Sequence, residues 1–322
     1  MLGSVLSMLL SACGSSPAAT ATASALARPS SIVAGLHCKI ALALWHGGWT
    51  GGWLSLPDGA FTADPSSSVS PAPDTADGSG LSYDVALKRW LPASPEVVRP
   101  DGQVYAYLAP QQIDGQVRVV DANGQTTVLS ALPHNLVGYH LVSVLPEGVY
   151  VTNWRGGLWR LPYSGGVEQL NTKEFWSAVA SGFAYGPAAS RGYANNADEI
   201  DRFNLSTGEA GPWFVKQGMF WGIAGFTPTG EAVVMWSSGS RTELWLGSSP
   251  PKLLHATTSF EEFNAAATGW SVVDDAQGIW VATGAALYLY SEQAGWERVW
   301  TATSDVFKPG VGQRVALASG CI

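Results

Sequence analysis

The sequence has 322 residues, of which 46% are hydrophobic, and this is enough apolar material to bury the core of one large domain or two ordinary ones. Charged residues make up only 13% of the chain and the formal net charge is -8, which argues against a nucleic-acid surface, because such a surface needs clustered Lys and Arg. The 37 glycines and 15 tryptophans favour short strands joined by tight turns over helices.

The N-terminus predicts export. An apolar stretch near Met1 is too short to span a bilayer but fits the core of a signal peptide, which we expect over residues 1–12. The stretch ends in Leu10-Ser11-Ala12-Cys13, which resembles the bacterial lipobox, so Cys13 is the predicted lipid-modified residue. Met1 to Ser4 carry no Lys or Arg, which departs from the usual positively charged start. An ordinary cleaved signal with a free Cys13 stays open as the alternative.

A tether is predicted between the lipid anchor and the folded domain, over residues 13–35. From Gly14 to Ser31 the chain is almost wholly Ser, Ala, Thr and Pro, a composition that cannot bury enough apolar surface to fold. The folded domain is predicted over residues 36–322. We therefore expect an extracytoplasmic protein that is lipid-anchored to the bacterial cell membrane.

Two cysteines remain once Cys13 is acylated, and they lie near the two ends of the folded domain. Cys38 and Cys321 would both enter an oxidising compartment on export, where disulfides form and persist. We predict a disulfide between them, and two buried, unpaired thiols are the alternative. Such a bond would close almost the whole domain into one loop.

The main signal in the sequence is a repeated pair of apolar strands joined by a turn that ends in glycine. The marker glycines are 46, 34, 48 and 48 residues apart, close to the roughly 40–50 residues of one propeller blade. Glycine in these turns provides the positive φ that tight hairpins need. We predict a six-bladed β-propeller with four-stranded blades, with a seven-bladed ring or a β-sandwich as alternatives. The marker glycines are Gly102, Gly148, Gly182, Gly230 and Gly278.

One blade of the ring is predicted to combine strands from both ends of the chain. Its innermost strand would be Arg314–Ala318 and the next Lys39–Trp45, followed by Trp53–Leu56 and Leu87–Leu91. In this arrangement the predicted disulfide locks the ring shut. Residues 58–80, rich in Pro, Ser and Asp, are predicted to be a disordered insertion, with a lid as the alternative.

Several tryptophans fall within predicted strands. Large side chains at such positions fill the space between blades, so we expect core packing and not ligand binding from them. These residues are Trp159, Trp236, Trp245 and Trp280.

Two segments of the chain are similar to known propeller families. Asp274 to Thr283 resembles the repeats of bacterial sensor propellers, which are of the WD40-like type. The segment from Leu81 to Pro92 resembles uncharacterised exported bacterial β-propeller lipoproteins. These resemblances imply a fold and carry no catalytic signature.

Common catalytic motifs do not occur in the sequence. It contains no Gly-x-Ser-x-Gly elbow, no P-loop and no His-Glu-x-x-His. The five histidines are scattered without the spacing of metal ligands. We predict neither a metal nor a cofactor.

One group of residues is a candidate ligand-binding site. Three arginines are predicted between the second and third strands of successive blades, on the rim where propellers generally bind ligands. Guanidinium groups grip carboxylates and phosphates through paired hydrogen bonds, and nearby aromatic rings could add stacking surfaces. Separate, solvated loop arginines are the alternative. The candidate residues are Arg155, Arg191, Arg241, Trp154, His46 and Trp49.

The sequence therefore favours a non-enzymatic binding or interaction module. We expect a monomer that contacts the membrane through its lipid anchor and binds an unknown protein or small molecule. The alternative is an exported hydrolase or lyase that acts on a saccharide or another anionic substrate. That activity would need a deep pocket with a carboxylate of raised pKa beside an arginine. A purely structural envelope protein, which would expose a large apolar patch, is the third possibility.

Overall fold

The computed structural model of the protein describes residues 31–45, 47–69, 78, 80–109, 116–132, 138–173, 175–188, 198–227, 229–238, 241–258, 271–283, 286–302 and 314–322. The predicted signal peptide (1–12) and the predicted lipidation site Cys13 lie outside these residues. Within them, no helix has the length and apolar character that a membrane crossing requires.

The described residues form a β-propeller of six blades, and five of these blades have four antiparallel strands. The remaining blade has three strands, and a single β-bridge from Val98 to Tyr105 takes the place of its innermost strand. The predicted six-bladed ring is therefore confirmed. All five marker glycines have the positive φ that the turn prediction required.

The blades are numbered from the one that joins the chain ends, and each is given from its innermost strand outward. Blade 1 contains β25 (Arg314–Cys321), β1 (Lys39–Trp45), β2 (Trp49–Ser55) and β3 (Ala60–Ala63). Blade 2 contains β6 (Val104–Leu108), β7 (Gln116–Asp121) and β8 (Thr126–Ala131). Blade 3 contains β9 (Tyr139–Leu145), β10 (Gly148–Asn153), β11 (Leu158–Leu161) and β12 (Glu168–Asn171). Blade 4 contains β13 (Ala178–Ala180), β14 (Phe183–Pro187), β15 (Glu199–Asn204) and β16 (Ala210–Val215). Blade 5 contains β17 (Met219–Phe226), β18 (Ala232–Ser238), β19 (Arg241–Leu246) and β20 (Lys252–Thr257). Blade 6 contains β21 (Ser271–Asp275), β22 (Gly278–Thr283), β23 (Ala286–Ser291) and β24 (Gly295–Thr301).

The remaining elements are the helix α1 (Ser31–Gly35), the 3-10 helices η1 (Pro65–Ser67) and η2 (Pro95–Val97), and a hairpin of β4 (Ser82–Asp84) and β5 (Arg89–Leu91).

Blade 1 closes the ring as predicted. β25 runs antiparallel to β1, and the backbones of Lys39 and Ile322 exchange two hydrogen bonds, of 3.1 and 2.9 Å. Cys38 and Cys321 form the predicted disulfide, with their Cα atoms 5.6 Å apart. Asp275 of blade 6 adds a further link, because its carboxylate accepts the Cys321 N–H at 2.6 Å.

The outer part of blade 1 differs from the prediction. The chain turns directly after β2, so that its fourth strand is β3 and not Leu87–Leu91. A hairpin between neighbouring segments needs only a short connection, which is why it forms in preference to the distant pairing. Residues 58–69 of the predicted disordered insertion are therefore structured, as β3 and η1. Residues 70–77 and 79 lie outside the described part of the chain.

The β4–β5 hairpin links blade 1 to blade 2. The carboxylate of Asp64 accepts the indole N–H groups of Trp53, from blade 1, and of Trp90, from the hairpin, at 2.8 and 3.0 Å. The bond from Trp90 is the largest of the contributions that hold the pKa of Asp64 well below its usual range. On the other side, the Arg89 guanidinium donates to the Ala122 carbonyl of blade 2 at 2.6 Å.

The hydrophobic core is a ring of clusters, because each blade packs its faces against its neighbours. Trp280 packs with residues of blade 1, and Trp236 packs with Phe214 of blade 4. Trp159 contributes to the cluster between blades 2 and 3. These three tryptophans are at most 2% exposed, which confirms their predicted packing role, whereas Trp245 is only partly buried.

The disulfide yields a first prediction. The double variant Cys38→Ser/Cys321→Ser should keep the fold, because the β25–β1 hydrogen bonds remain, but lose up to about 5 kcal/mol of unfolding free energy in the chain-entropy model. Urea unfolding of the full chain measures this loss. A reductant should destabilise the parent protein to a similar extent and leave the double variant unchanged. Equal stability of parent and variant would contradict a closing role for the disulfide.

Candidate functional site

The propeller has two faces, which are defined by the strand ends that meet there. The upper face carries the connections between second and third strands and those between successive blades. The lower face carries the turns between first and second and between third and fourth strands. Trp49, Trp154, Arg155 and Arg241 all lie at upper-face strand ends, as the rim hypothesis requires. The predicted site residues His46 and Arg191 lie outside the described residues.

Trp154 and Arg155 form an exposed pair between β10 and β11. The Arg155 guanidinium carbon lies 4.8 Å from the centroid of the Trp154 ring, which is within the range of a cation–π contact, and Trp154 is 37% exposed. The buried Asn153 fixes this turn, since its side-chain oxygen accepts the Arg155 N–H at 2.9 Å. A Cβ at Gly138 would lie 1.5 Å from the indole, so only glycine allows the ring to take this place. The pair is thus presented to solvent by a rigid turn.

Trp49 lies on the same face but in a different setting. Its ring meets Trp45 edge to face, with centroids 5.2 Å apart, and it also packs against the cluster between blade 1 and the β4–β5 hairpin. Both rings are only partly exposed. Trp49 is therefore in part a packing residue at the upper face.

Arg241 is already engaged by a carboxylate. Its Nε lies 3.6 Å from Glu243, which is 4% exposed and also lies 3.4 Å from the Lys216 ammonium. The Trp245 indole donates to the same carboxylate at 2.8 Å. This Glu243 cluster joins blade 5 to the end of blade 4 through Lys216. It carries two cations for one carboxylate.

The described residues do not place Arg155 and Arg241 side by side. Arg155 belongs to blade 3 and Arg241 to blade 5, so blade 4 lies between them. Joint binding of one anion by the three predicted arginines stays a prediction. Sequence reasoning missed Lys216 and Glu243, because they come from different blades and no local motif relates them.

A cavity of about 520 Å³ opens on the lower face, between blades 5 and 6. Asp274 lines it, and burial, reinforced by the negative charge of Asp275, raises the pKa of Asp274. No arginine is among the residues of the described chain that line this cavity. Within the described ranges, no group of three or more His, Cys, Asp and Glu side chains is placed to hold a metal ion.

Comparison with known proteins shows a shared fold. No family model matches the sequence, and no curated protein matches it. TolB from Acinetobacter baumannii is 13% identical, with a TM-score of 0.50 over 88% of this chain and 67% of that chain. A protein from Lactobacillus plantarum is 13% identical, with a TM-score of 0.49 over 86% of this chain and 99% of that one. YCF48 from Cyanidioschyzon merolae is 11% identical, with a TM-score of 0.46 over 74% and 89%. At 13% identity, the similarity to TolB shows the β-propeller fold alone.

The geometry of the Glu243 cluster predicts unequal roles for its two cations. Lys216→Met should destabilise the protein by about 1–3 kcal/mol, because it leaves a buried carboxylate with less compensation. Arg241→Met should cost no more than about 0.5 kcal/mol, since the Arg241 side chain is half exposed and its contact is longer. Urea unfolding of both variants measures the difference. Equal losses would show that Arg241 is as much a structural residue as Lys216.

Proposed function

We propose that this protein is an exported, membrane-tethered binding module that captures an anionic ligand on its upper face, with Trp154 and Arg155 as the first contact. The proposal combines the predicted signal peptide and lipid anchor with the geometry of the described upper face. The Cys38–Cys321 disulfide supports export, because disulfides are typical of oxidising compartments outside the cytoplasm.

The Trp154–Arg155 pair is the observation that carries the proposal. A tryptophan that is 37% exposed and held by a rigid turn loses little entropy on binding. The indole can stack on a flat or apolar ligand surface, and the adjacent guanidinium can form paired hydrogen bonds with a carboxylate or phosphate. A ligand that combines both features, such as an acidic sugar, suits this pair best. Lys216 and Arg241 add positive charge at blade 5, on the same face.

A hydrolase or lyase is less well supported. Such an enzyme would need a carboxylate of raised pKa beside an arginine in a pocket. Burial raises the pKa of Asp274, but no arginine is among the described residues that line its cavity, which opens on the lower face. The binding module is therefore the better interpretation.

A purely structural envelope protein is also less well supported. It would be expected to expose a large, contiguous apolar surface. The exposed large hydrophobic residues of the described chain are instead scattered over different elements. They are Val85, Val128, Trp154, Val215, Leu253 and Ile322.

The ligand proposal is tested by thermal shift and calorimetry with glucuronate, inorganic phosphate and neutral glucose. Glucuronate should stabilise the full chain more than glucose does, because only the anion can pair with Arg155. Arg155→Ala and Trp154→Ala should each weaken binding about tenfold or more, as expected for the loss of a charge-assisted contact.

Arg298→Ala is the matched control, since Arg298 is an exposed arginine on the outer strand of blade 6. It should bind like the parent. Arg191→Ala and Arg241→Ala report whether one ligand reaches all three predicted arginines. The absence of any shift with every probe, or the same loss in Arg298→Ala as in Arg155→Ala, would contradict the proposed ligand class.

The tether has its own test. The full chain expressed in bacteria with a tagged fatty acid should become labelled and sediment with membranes. Cys13→Ser should abolish the label and release the protein, because the thiol that carries the lipid is lost, whereas Ser15→Ala, two residues away, should change neither. A labelled Cys13→Ser variant, or an unlabelled parent, would rule out lipidation at Cys13.

A further inference from the structure

The lower-face cavity between blades 5 and 6 is independent of the upper-face residues. Its walls are the turn between β17 and β18, the turn between β21 and β22, and the end of β23. Lys252, at the start of β20, borders its outer side. A volume of about 520 Å³ lies within the roughly 300–1,000 Å³ of small-molecule sites in proteins.

The charge of the lining is strongly negative. Four carboxylates, from Glu231, Asp274, Asp275 and Glu292, face one ammonium group, from Lys252. Lys252 is paired with Glu292, at 3.2 Å from its carboxylate. Among the described residues that line the cavity, neither Glu231 nor Asp274 is therefore paired with a cation.

The carboxylate of Asp275 has a structural role, because it accepts three hydrogen bonds from the protein. One of its carboxylate oxygens accepts the Trp280 indole N–H at 2.8 Å and the Cys321 N–H at 2.6 Å, while the other accepts the Gln277 N–H at 2.7 Å. These bonds anchor the closing blade to blade 6. Burial raises the pKa of Asp274, and the negative charge of Asp275 beside it raises that pKa further.

Asp274 is the carboxylate for which a ligand would provide an ion-pair partner. It is partly buried, and none of the ion pairs among the described residues includes it. Keeping a carboxylate in this position costs free energy, because it loses water and lies next to Asp275. A bound cation would offset both costs.

The remaining lining indicates which kind of cation fits. Thr227, Thr229 and Tyr290 bring hydroxyl groups that can accept hydrogen bonds from an ammonium. Leu246 and Ile279 bring apolar surface for a short alkyl chain. This mixture suits an organic ammonium ion with a hydrocarbon body better than it suits a bare metal ion, which prefers a shell of oxygen ligands.

We propose that this cavity binds a small organic cation with a primary ammonium group. The carboxylate of Asp274 forms the central ion pair with this ammonium, and Glu231 provides a second hydrogen-bond acceptor for it. The site is separate from the proposed anion site, since the two lie on opposite faces of the ring.

Calorimetric titration of the full chain with putrescine tests the proposal. Putrescine should bind the parent, and Asp274→Asn should weaken binding at least about tenfold, because the amide has the shape of the carboxyl group without its charge. Glu209→Gln is the matched control, as Glu209 is an exposed acid at a turn of the same face outside the cavity. This variant and Trp154→Ala should bind putrescine like the parent.

The pH dependence provides a second readout. Asp274 shares its surroundings with Asp275 on its own turn, with Glu231 from blade 5, with Lys252 from β20, and with Tyr290 and Glu292 from blade 6. A raised pKa means that Asp274 takes up a proton at a higher pH than an ordinary aspartate, so putrescine affinity should fall as the pH is lowered through that range. Asp274→Asn should remove this dependence.

Three results would overturn the proposal. The first is the absence of putrescine binding to the parent. The second is an unchanged putrescine affinity in Asp274→Asn, when circular dichroism shows that the variant is folded. The third is that the parent binds CaCl₂ more tightly than putrescine and that Asp274→Asn loses binding of both. The last result would make the cavity a metal site instead.

Discussion

Closure of the ring is the constraint on which the rest of the structure depends. Each blade of a propeller packs only on its neighbours, so the junction that the continuous chain does not cross must be joined by other means. Here that junction lies within blade 1, where β25 pairs with β1 and the Cys38–Cys321 disulfide covers the end of the pairing. Asp275 extends the junction to blade 6 through the Cys321 N–H. Opening this junction would free an edge strand and expose the buried cluster between blades 6 and 1.

The closed ring also determines where chemistry can occur. Because strands within a blade alternate in direction, every connection between a second and a third strand reaches the same face. This brings Arg241 to the same face as the Trp154–Arg155 pair, from which it is distant in sequence. The first-to-second-strand turns reach the opposite face, where the turns of blades 5 and 6 enclose the cavity with Asp274. A single topological rule thus separates two regions with different side chains.

The two candidate regions differ in charge although the chain as a whole is acidic. The upper face combines exposed aromatic surface with guanidinium and ammonium groups, and its Glu243 cluster has more cations than carboxylates. The lower-face cavity has more carboxylates than cations. Charges of one sign favour ligands of the other sign, so the proposed anion site at the exposed Arg155 and the proposed cation site at the partly buried Asp274 follow from the same physical argument.

The sequence by itself determined the number of blades, the marker glycines, the closing strands and the disulfide, because these features depend on local turn chemistry, on a repeat length and on the place of two cysteines near the chain ends. It also predicted one face for Arg155 and Arg241, since strand order alone decides this, whereas the ligand-binding role of these residues stays a prediction. Only the tertiary structure decided the partners of these residues. That β3 and not Leu87–Leu91 completes blade 1 follows from a short hairpin that the repeat pattern did not show. That Lys216 reaches Glu243 and that Asp274 lines a cavity depend on packing between neighbouring blades, for which spacing in the chain carries no signal.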